Sequence, residues 1–482
     1  MSSPSVKKNY IYNILYQILT IITPLITAPY VSRVLGADGI GIYSYTSSIM
    51  AYFVMFSVLG TLQYGIREIA RLRDDRLEMS KAFWEIVIIR GFCTAICLLA
   101  WLCFSFSSEE YQIFYLALIP TLLTTIFDIA WFYTGIEKMG YTVLLNSICK
   151  VIGILALFGF VHEKDDLLIY IFLNSSILFL GALSMWIYVP KEVERVTVRI
   201  LTFKRHIKGT FSYFLITIAI SLYTVLDKVM IGLITNDNYQ NGYYEQANKI
   251  ITLASSVTFV ALNGVMGARM SYLFAHKKYD EIKERISRSF DFCFLVGFGL
   301  LFGICSVSKC FVPVFFGEGY EPVIDMLYLK SPLLIIISIS TILGSQYYLP
   351  SGNINKSTLM TISGSILNLG ANALFIPQFG AMGAIMGTLI GESFISVIYF
   401  YNARKYLAIK RIIAFSYKRI IAGCIMLGIS YLLLRYFNTA NVVVLTLHLV
   451  LAFVVYVSCL FVLRDRMLFE LLDIVKSKLI KR

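Results

Sequence analysis

Apolar runs of about twenty residues recur along the whole chain, each closed by a short polar loop, and this spacing restricts the fold more than any other feature. A helix rises about 1.5 Å per residue, so roughly twenty residues cross the ~30 Å hydrocarbon core of a bilayer with every main-chain hydrogen bond satisfied internally. The runs fall at residues 9–31, 40–63, 83–105, 111–135, 141–161, 167–189, 210–234, 241–268, 288–311, 322–349, 355–376, 381–403, 415–435 and 440–463. They predict an all-α integral membrane protein with about 14 transmembrane helices.

Composition agrees. Apolar residues make up 58% of the 482 and charged residues 15%, against about 45–50% and 25% in soluble domains. No polar stretch is longer than about twenty residues, short of the ~50 that a water-soluble domain needs. The net charge of +13 does not indicate nucleic acid, because Lys and Arg are spread over short loops rather than gathered on one face. Their distribution is lopsided: the N-terminus, every second loop and the C-terminal tail hold 33, while the alternate loops hold only Arg33, Lys164, Lys309 and Arg435. The positive-inside rule then puts both termini in the cytoplasm. Lys7 and Lys8 precede a first run that continues to about Val31 without a cleavage pattern, which predicts a retained span rather than a signal peptide.

Three regions follow: 1–208 as a first six-helix bundle, 209–403 as a second, and 404–482 as two further spans with an amphipathic cytoplasmic tail. GIYSYTSSI at 41–49 and GYYEQANKI at 242–250 share a Gly, a Tyr and the final Ile six spans apart. An even offset gives the two bundles the same orientation, a parallel pseudo-repeat. Pro24, Pro29 and Pro120 predict kinks in the first and fourth spans. Gly383, Gly387 and Gly391 recur every four residues and predict close helix packing. In the tail, Leu468, Leu471, Leu472, Val475 and Leu479 form one face with Lys476 and Lys478 off it, which predicts a helix on the cytoplasmic surface; 277–288 shows a weaker version.

Enzyme signatures do not assemble. The dipeptide Gly-Lys is missing, which excludes a phosphate-binding loop of the Walker type, and the glycines of LGADGIGIY are in the wrong order for a dinucleotide fingerprint. Nine cysteines lie almost entirely within apolar runs and read as small core residues. His162, His206, His276 and His448 show no ligand spacing, and the first three sit near loops, where solvated positions are expected.

What remains is a set of charges inside the spans. Arg90, Lys150, Lys228, Lys249 and Lys330 are the basic residues that the positive-inside rule leaves unexplained, and Asp128, Asp227, Glu245 and Glu392 are their acidic counterparts. An ionisable group at the centre of a membrane helix costs about 2.5–3.5 kcal/mol on insertion scales, so such groups usually face the protein interior and mark a pathway. Helical rise places Arg90 and Asp128 toward the inner face, Lys150 and Glu392 near the midplane, and the others in the outer half. The surplus is cationic and suits an anionic ligand. The bland alternative is local pairing: Glu245 and Lys249 stand at i, i+4, and Asp227 can pair with a basic neighbour.

Three stretches, PYVSRVLGADGIGIYSYTSSI with GTLQYGIREIARLRDD at 29–75, FDIAWFYTGIEKMGY at 127–141, and TVLDKVMIGL with GYYEQANKI at 224–250, resemble the bacterial polysaccharide flippases of the Wzx type, in the multidrug/oligosaccharidyl-lipid/polysaccharide exporter superfamily. The resemblance implies a V-shaped pair of six-helix bundles around a cationic cavity, alternating between inward-open and outward-open states in the bacterial inner membrane. It implies an undecaprenyl-diphosphate-linked oligosaccharide as substrate, as in O-antigen, lipopolysaccharide or exopolysaccharide assembly, and a polysaccharide polymerase and chain-length regulator as partners. Arg33, Arg90, Lys150, Lys228 and Lys249 become candidates for the diphosphate and acidic sugars. Asp128, Asp227 and Glu392 become candidates for coupling to H+ or Na+, with no other cofactor expected. Competing readings are a peptidoglycan-precursor or teichoic-type polymer exporter, which shares the lipid carrier, and a multidrug/cation antiporter, which calls for an anionic cavity. A membrane polymerase or ligase would carry a large outer loop, and the outer loops here are short.

Overall fold

The structure, a computed structural model, describes residues 6–197, 201–260, 266–436 and 441–480. The described residues form helices α1 (Val6–Val58), α2 (Thr61–Leu72), α3 (Arg76–Phe106), α4 (Gln112–Ala117), α5 (Ile119–Phe127), α6 (Ala130–Gly135), α7 (Gly140–Phe160), α8 (Leu167–Ser184), α9 (Val189–Glu192) and α10 (Lys204–Thr235). They continue as α11 (Asn238–Val260), α12 (Met266–Ala275), α13 (Tyr279–Phe316), α14 (Pro322–Lys330), α15 (Leu333–Leu343), α16 (Ile354–Phe379), α17 (Ala381–Ala403), α18 (Ile409–Tyr436), α19 (Val442–Val462) and α20 (Arg466–Ile480). The all-α reading therefore holds, and among the described residues eleven helical stretches are long and apolar enough to cross a membrane. One of the eleven, Tyr16–Leu72, has 57 residues, close to three times what one crossing needs.

Gly36 explains that length. It sits inside α1 at φ 68°, ψ 177°, outside helical space and in the positive-φ region that glycine tolerates. Two helices meet there, matching the gap between the runs 9–31 and 40–63. The expected kink at Pro120 takes the form of a break: α4 ends, and Pro120 occupies the first turn of α5, where its missing N–H leaves nothing unsatisfied. Pro332 plays the same part between α14 and α15.

The chain divides into two compact units, Met1–Gly232 and Leu233–Arg482. The division falls inside α10, and so does the boundary expected at 208/209, because that helix begins at Lys204, ahead of the apolar run at 210–234. In the first unit, aromatic residues of α2, α3 and α6, among them Phe83, Trp131, Phe132 and Tyr133, form a buried cluster. In the second, α16 and α17 lie against each other along the glycine stripe: a Cβ on Gly383 would stand 2.3 Å from the Phe375 carbonyl oxygen, and one on Gly387 2.0 Å from Asn372 Oδ1. The tail helix α20 forms as expected, and its Leu468, Leu471 and Leu472 pack against Leu295, Met426 and Tyr456 rather than standing free. Val475 and Leu479 lie outside the residues whose side chains are described.

A buried ion cluster holds this region. Arg419 on α18 is fully buried between Asp291 on α13 and Asp465 just before α20. Its Nη1 donates to the Asp291 carbonyl at 2.6 Å and its Nε to Asp465 Oδ2 at 3.1 Å, while Asp465 Oδ1 accepts from the amides of Met467 and Leu468 at the start of α20. One guanidinium thus joins three helices.

The histidine expectation needs correction. His162 and His276 are exposed, but His206 is fully buried, because the start of α10 packs under α2 and α3 instead of lying in a solvated loop.

Candidate translocation site

Within the first unit, a cavity of about 210 Å³ is bounded by α1, α5, α7, α8 and the break between α5 and α6; Tyr16, Thr124, Asp128, Asn146 and Lys150 line it. Lys150 Nζ donates to Thr20 Oγ1 at 2.9 Å and lies 4.8 Å from the centre of the Tyr16 ring. The ammonium is thus held by a hydroxyl and a π face, contacts that soften its desolvation without cancelling its charge.

Asp128 shares the cavity but is occupied with backbone. It ends α5 in an extended conformation, and its Oδ1 accepts from the Ala130 amide at 3.0 Å. Its carbonyl accepts from Arg90 Nη1 at 2.6 Å. Arg90, 2% exposed, does not line the cavity. It lies beside a closed triangle of hydroxyls, Ser57, Thr94 and Thr125, with edges of 2.5, 2.7 and 2.8 Å. The candidate pair therefore splits in kind: Lys150 faces space that a ligand can enter, and Arg90 braces the helix break behind it. Arg33 is exposed on α1, three residues before Gly36. Asp227 on α10 is buried, and Lys228 beside it is half-buried.

In the second unit the polar residues follow one stripe of α11. Asn241, Tyr244, Glu245 and Asn248 stand at i, i+3, i+4 and i+7, which brings them to one helical face. Lys330, the last residue of α14, is 2% exposed; it donates to Asn248 Oδ1 at 2.9 Å and stands 3.9 Å from the Tyr244 ring centre. Asn241 is fully buried, and among the described residues neither amide atom has a hydrogen-bond partner. Glu245 and Lys249 approach to 3.9 Å, the i, i+4 pairing that their spacing allowed. Glu392 on α17 is 6% exposed and has no ion pair or hydrogen bond to its carboxylate among the described residues.

Lys330 was visible in the sequence as an unexplained cation but was not assigned to the site. The missed signal was its place two residues before Pro332, where a helix must end and its last side chain can turn toward a neighbour. Among the described residues no cluster of His, Cys, Asp and Glu could hold a metal ion.

The second unit also contains an apolar cavity of about 570 Å³ between α13, α18 and α19, lined by residues such as Leu295, Leu300, Val307, Leu449 and Phe453, with Leu468 and Leu471 of α20 on its wall.

Membrane-crossing helices in two units, with charged groups held in polar settings inside otherwise apolar bundles, define a multi-pass α-helical membrane transporter. The chain belongs to the polysaccharide biosynthesis protein family, whose pattern it matches over residues 6–271. It is similar to an Escherichia coli (strain K12) protein named "Putative O-antigen transporter", with 24% identity over 403 residues that cover 81% of this chain and 95% of the relative. Its fold is that of the lipid II flippase MurJ in an inward closed conformation, with a TM-score of 0.72 at 19% identity over 95% of this chain and 99% of the other. An inward-facing multidrug resistance transporter of the MATE family and MOP superfamily has the same fold, with a TM-score of 0.58 at 13% identity over 82% and 98% of the two chains. These relatives are transporters and a flippase, not enzymes.

Proposed function

We propose that the protein is a flippase that moves undecaprenyl-diphosphate-linked oligosaccharide units from the cytoplasmic to the outer leaflet of the bacterial inner membrane by alternating access. The observation that carries this reading is the match to the polysaccharide biosynthesis family in a chain that keeps the Lys150 ammonium in a pocket among apolar helices. A head group of sugars and diphosphate cannot cross hydrocarbon unaided, because each desolvated charge or polar group costs several kcal/mol or more. Lys150 supplies one fixed positive charge with neighbouring hydroxyl and amide groups, and Lys249 and Lys330 supply others on the second unit. The apolar cavity along α13, α18 and α19 suits hydrocarbon such as a polyprenyl chain.

In this reading Arg33, Lys150, Lys228 and Lys249 attract the diphosphate and acidic sugars, and Arg90 acts through Asp128. Asp128, Asp227 and Glu392 are the groups through which an H+ or Na+ gradient drives the cycle. Of these Glu392 is the favoured one, because a buried carboxylate with no cation beside it among the described residues gains most from binding a proton or a metal ion. Both termini lie in the cytoplasm, and a polymerase with its chain-length regulator takes the product at the outer leaflet.

Cells lacking the protein are expected to accumulate a complete lipid-linked oligosaccharide. Its identity tests the reading: accumulation of the peptidoglycan precursor instead would assign the other substrate class, and no accumulation of any lipid-linked sugar would overturn flipping.

A further inference from the structure

We propose that Glu85, His206 and Tyr64 form a proton-responsive clamp, which fastens the start of α10 to α2 and α3 while His206 is neutral and loosens when it takes up a proton. The three residues come from α3, α10 and α2, and Glu85 and His206 are both fully buried. Glu85 Oε2 stands 2.5 Å from His206 Nε2 and 2.7 Å from Arg205 Nε, and its Oε1 accepts from the Thr202 amide at 2.7 Å. The other imidazole nitrogen, Nδ1, is 2.7 Å from the Tyr64 hydroxyl.

These partners select one neutral tautomer. An ionised carboxylate only accepts, so Nε2 carries the proton that faces Glu85, and Nδ1 accepts from the Tyr64 hydroxyl. A second proton on Nδ1 meets that donor head-on and forces the hydroxyl to turn. The added charge also faces Arg205, whose Nε is 3.2 Å from Nε2. Of the nearby carboxylates on the facing helices, Glu68 of α2 is paired with Arg71 and Glu78 of α3 with Lys81, each at 2.6 Å, and Glu78 also meets Arg205 at 3.4 Å. Burial lowers the His206 pKa from its ordinary value of 6.5, partly offset by Glu85.

Backbone packing makes the clamp consequential. Gly60, at φ 71°, admits α10 so closely that a Cβ would stand 2.5 Å from the Phe214 nitrogen and the Thr210 oxygen. A Cβ on Gly209 would stand 2.2 Å from the Tyr64 ring. The side chains that hold α10 in this fit are the ones that protonation disturbs. Because the folded imidazole has the lower pKa, its contribution is fully present above about pH 6.5 and is lost as the pH falls below it.

The test is hydrogen–deuterium exchange of residues 204–214 in the full-length protein in detergent, from about pH 7.5 to pH 5.5, corrected for intrinsic exchange and referred to α16. Wild type is expected to lose protection by up to about tenfold for each pH unit below the ordinary imidazole range, the limit for one linked proton. His206→Gln, which keeps a donor and an acceptor but does not titrate, is expected to lose this slope. Equal slopes in the two proteins would overturn the proposal. Should His206→Gln not fold, Tyr64→Phe carries the test: with no hydroxyl donating to Nδ1 the folded imidazole accepts a proton more readily, so the loss of protection levels off at a higher pH and is smaller in total, and a loss of unchanged extent would equally overturn the proposal.

Discussion

The guanidinium of Arg90 donates to the main-chain carbonyl of Asp128 at 2.6 Å, while the Asp128 carboxylate accepts from the Ala130 amide at 3.0 Å. Both groups that the sequence singles out in the fourth span and its neighbour thus maintain a helix break, and the break opens the wall of the cavity in which Lys150 sits. Replacing Arg90 by Met leaves the carbonyl without its donor, at a cost of about 1–3 kcal/mol. Thermal unfolding in detergent should show a lower midpoint, and Arg90→Lys should recover part of it. An unchanged midpoint for Arg90→Met would remove the brace.

Lys150 should behave differently. Lys150→Ala is expected to leave the folded protein abundant and to lower surface polysaccharide by about tenfold or more, corresponding to the loss of roughly 1.4 kcal/mol of stabilisation along the path. Lys150→Arg should retain much of the activity. Normal export by Lys150→Ala would show that the cavity is not on the path.

Arg419 is the cation on which the junction of α13, α18 and α20 depends. Arg419→Met strands Asp291 and Asp465 as buried charges, and breaking such an arrangement costs about 3–5 kcal/mol. Low yield or a strongly reduced midpoint is expected, with partial recovery when Asp291→Asn is added. A single replacement that is as stable as wild type would contradict the buried geometry.

The glycine stripe offers an internal control. Gly387→Ala drives a Cβ to 2.0 Å from Asn372 Oδ1, whereas Gly370, on the neighbouring helix, has nothing within 4 Å. The first change should destabilise by about 1–3 kcal/mol, and the second should be neutral or slightly stabilising through helix propensity. Equal effects in a thermal-shift measurement would argue against the packing of α16 on α17.

Much of this architecture is legible in the chain. Bilayer thickness dictates run length, so stretches such as Arg76–Phe106 and Val442–Val462 announce themselves. Proline marks the break at 120 for a local steric reason. The pairing of Glu245 with Lys249 follows from helical spacing alone. What the chain does not display is which face of each span meets which neighbour. His206 meets Glu85 across 121 positions, Lys330 meets Asn248 across 82, and Arg419 meets Asp465 across 46. In a bilayer no hydrophobic stripe reports rotation, because a lipid-facing side and a packed side are equally apolar. Partnership is therefore not legible, which is why Arg90 and Lys150 look alike in the sequence and differ in the structure.

The flippase reading is tested most directly in sealed vesicles holding the purified protein and an undecaprenyl-diphosphate-linked oligosaccharide, by following how fast the sugar on one leaflet becomes accessible to an impermeant glycosidase on the other side. Wild-type vesicles are expected to expose inner-leaflet sugar much faster than protein-free vesicles, with Lys150→Ala slowed about tenfold or more. Exposure at the rate of protein-free vesicles, under an imposed H+ gradient and an imposed Na+ gradient alike, would contradict it.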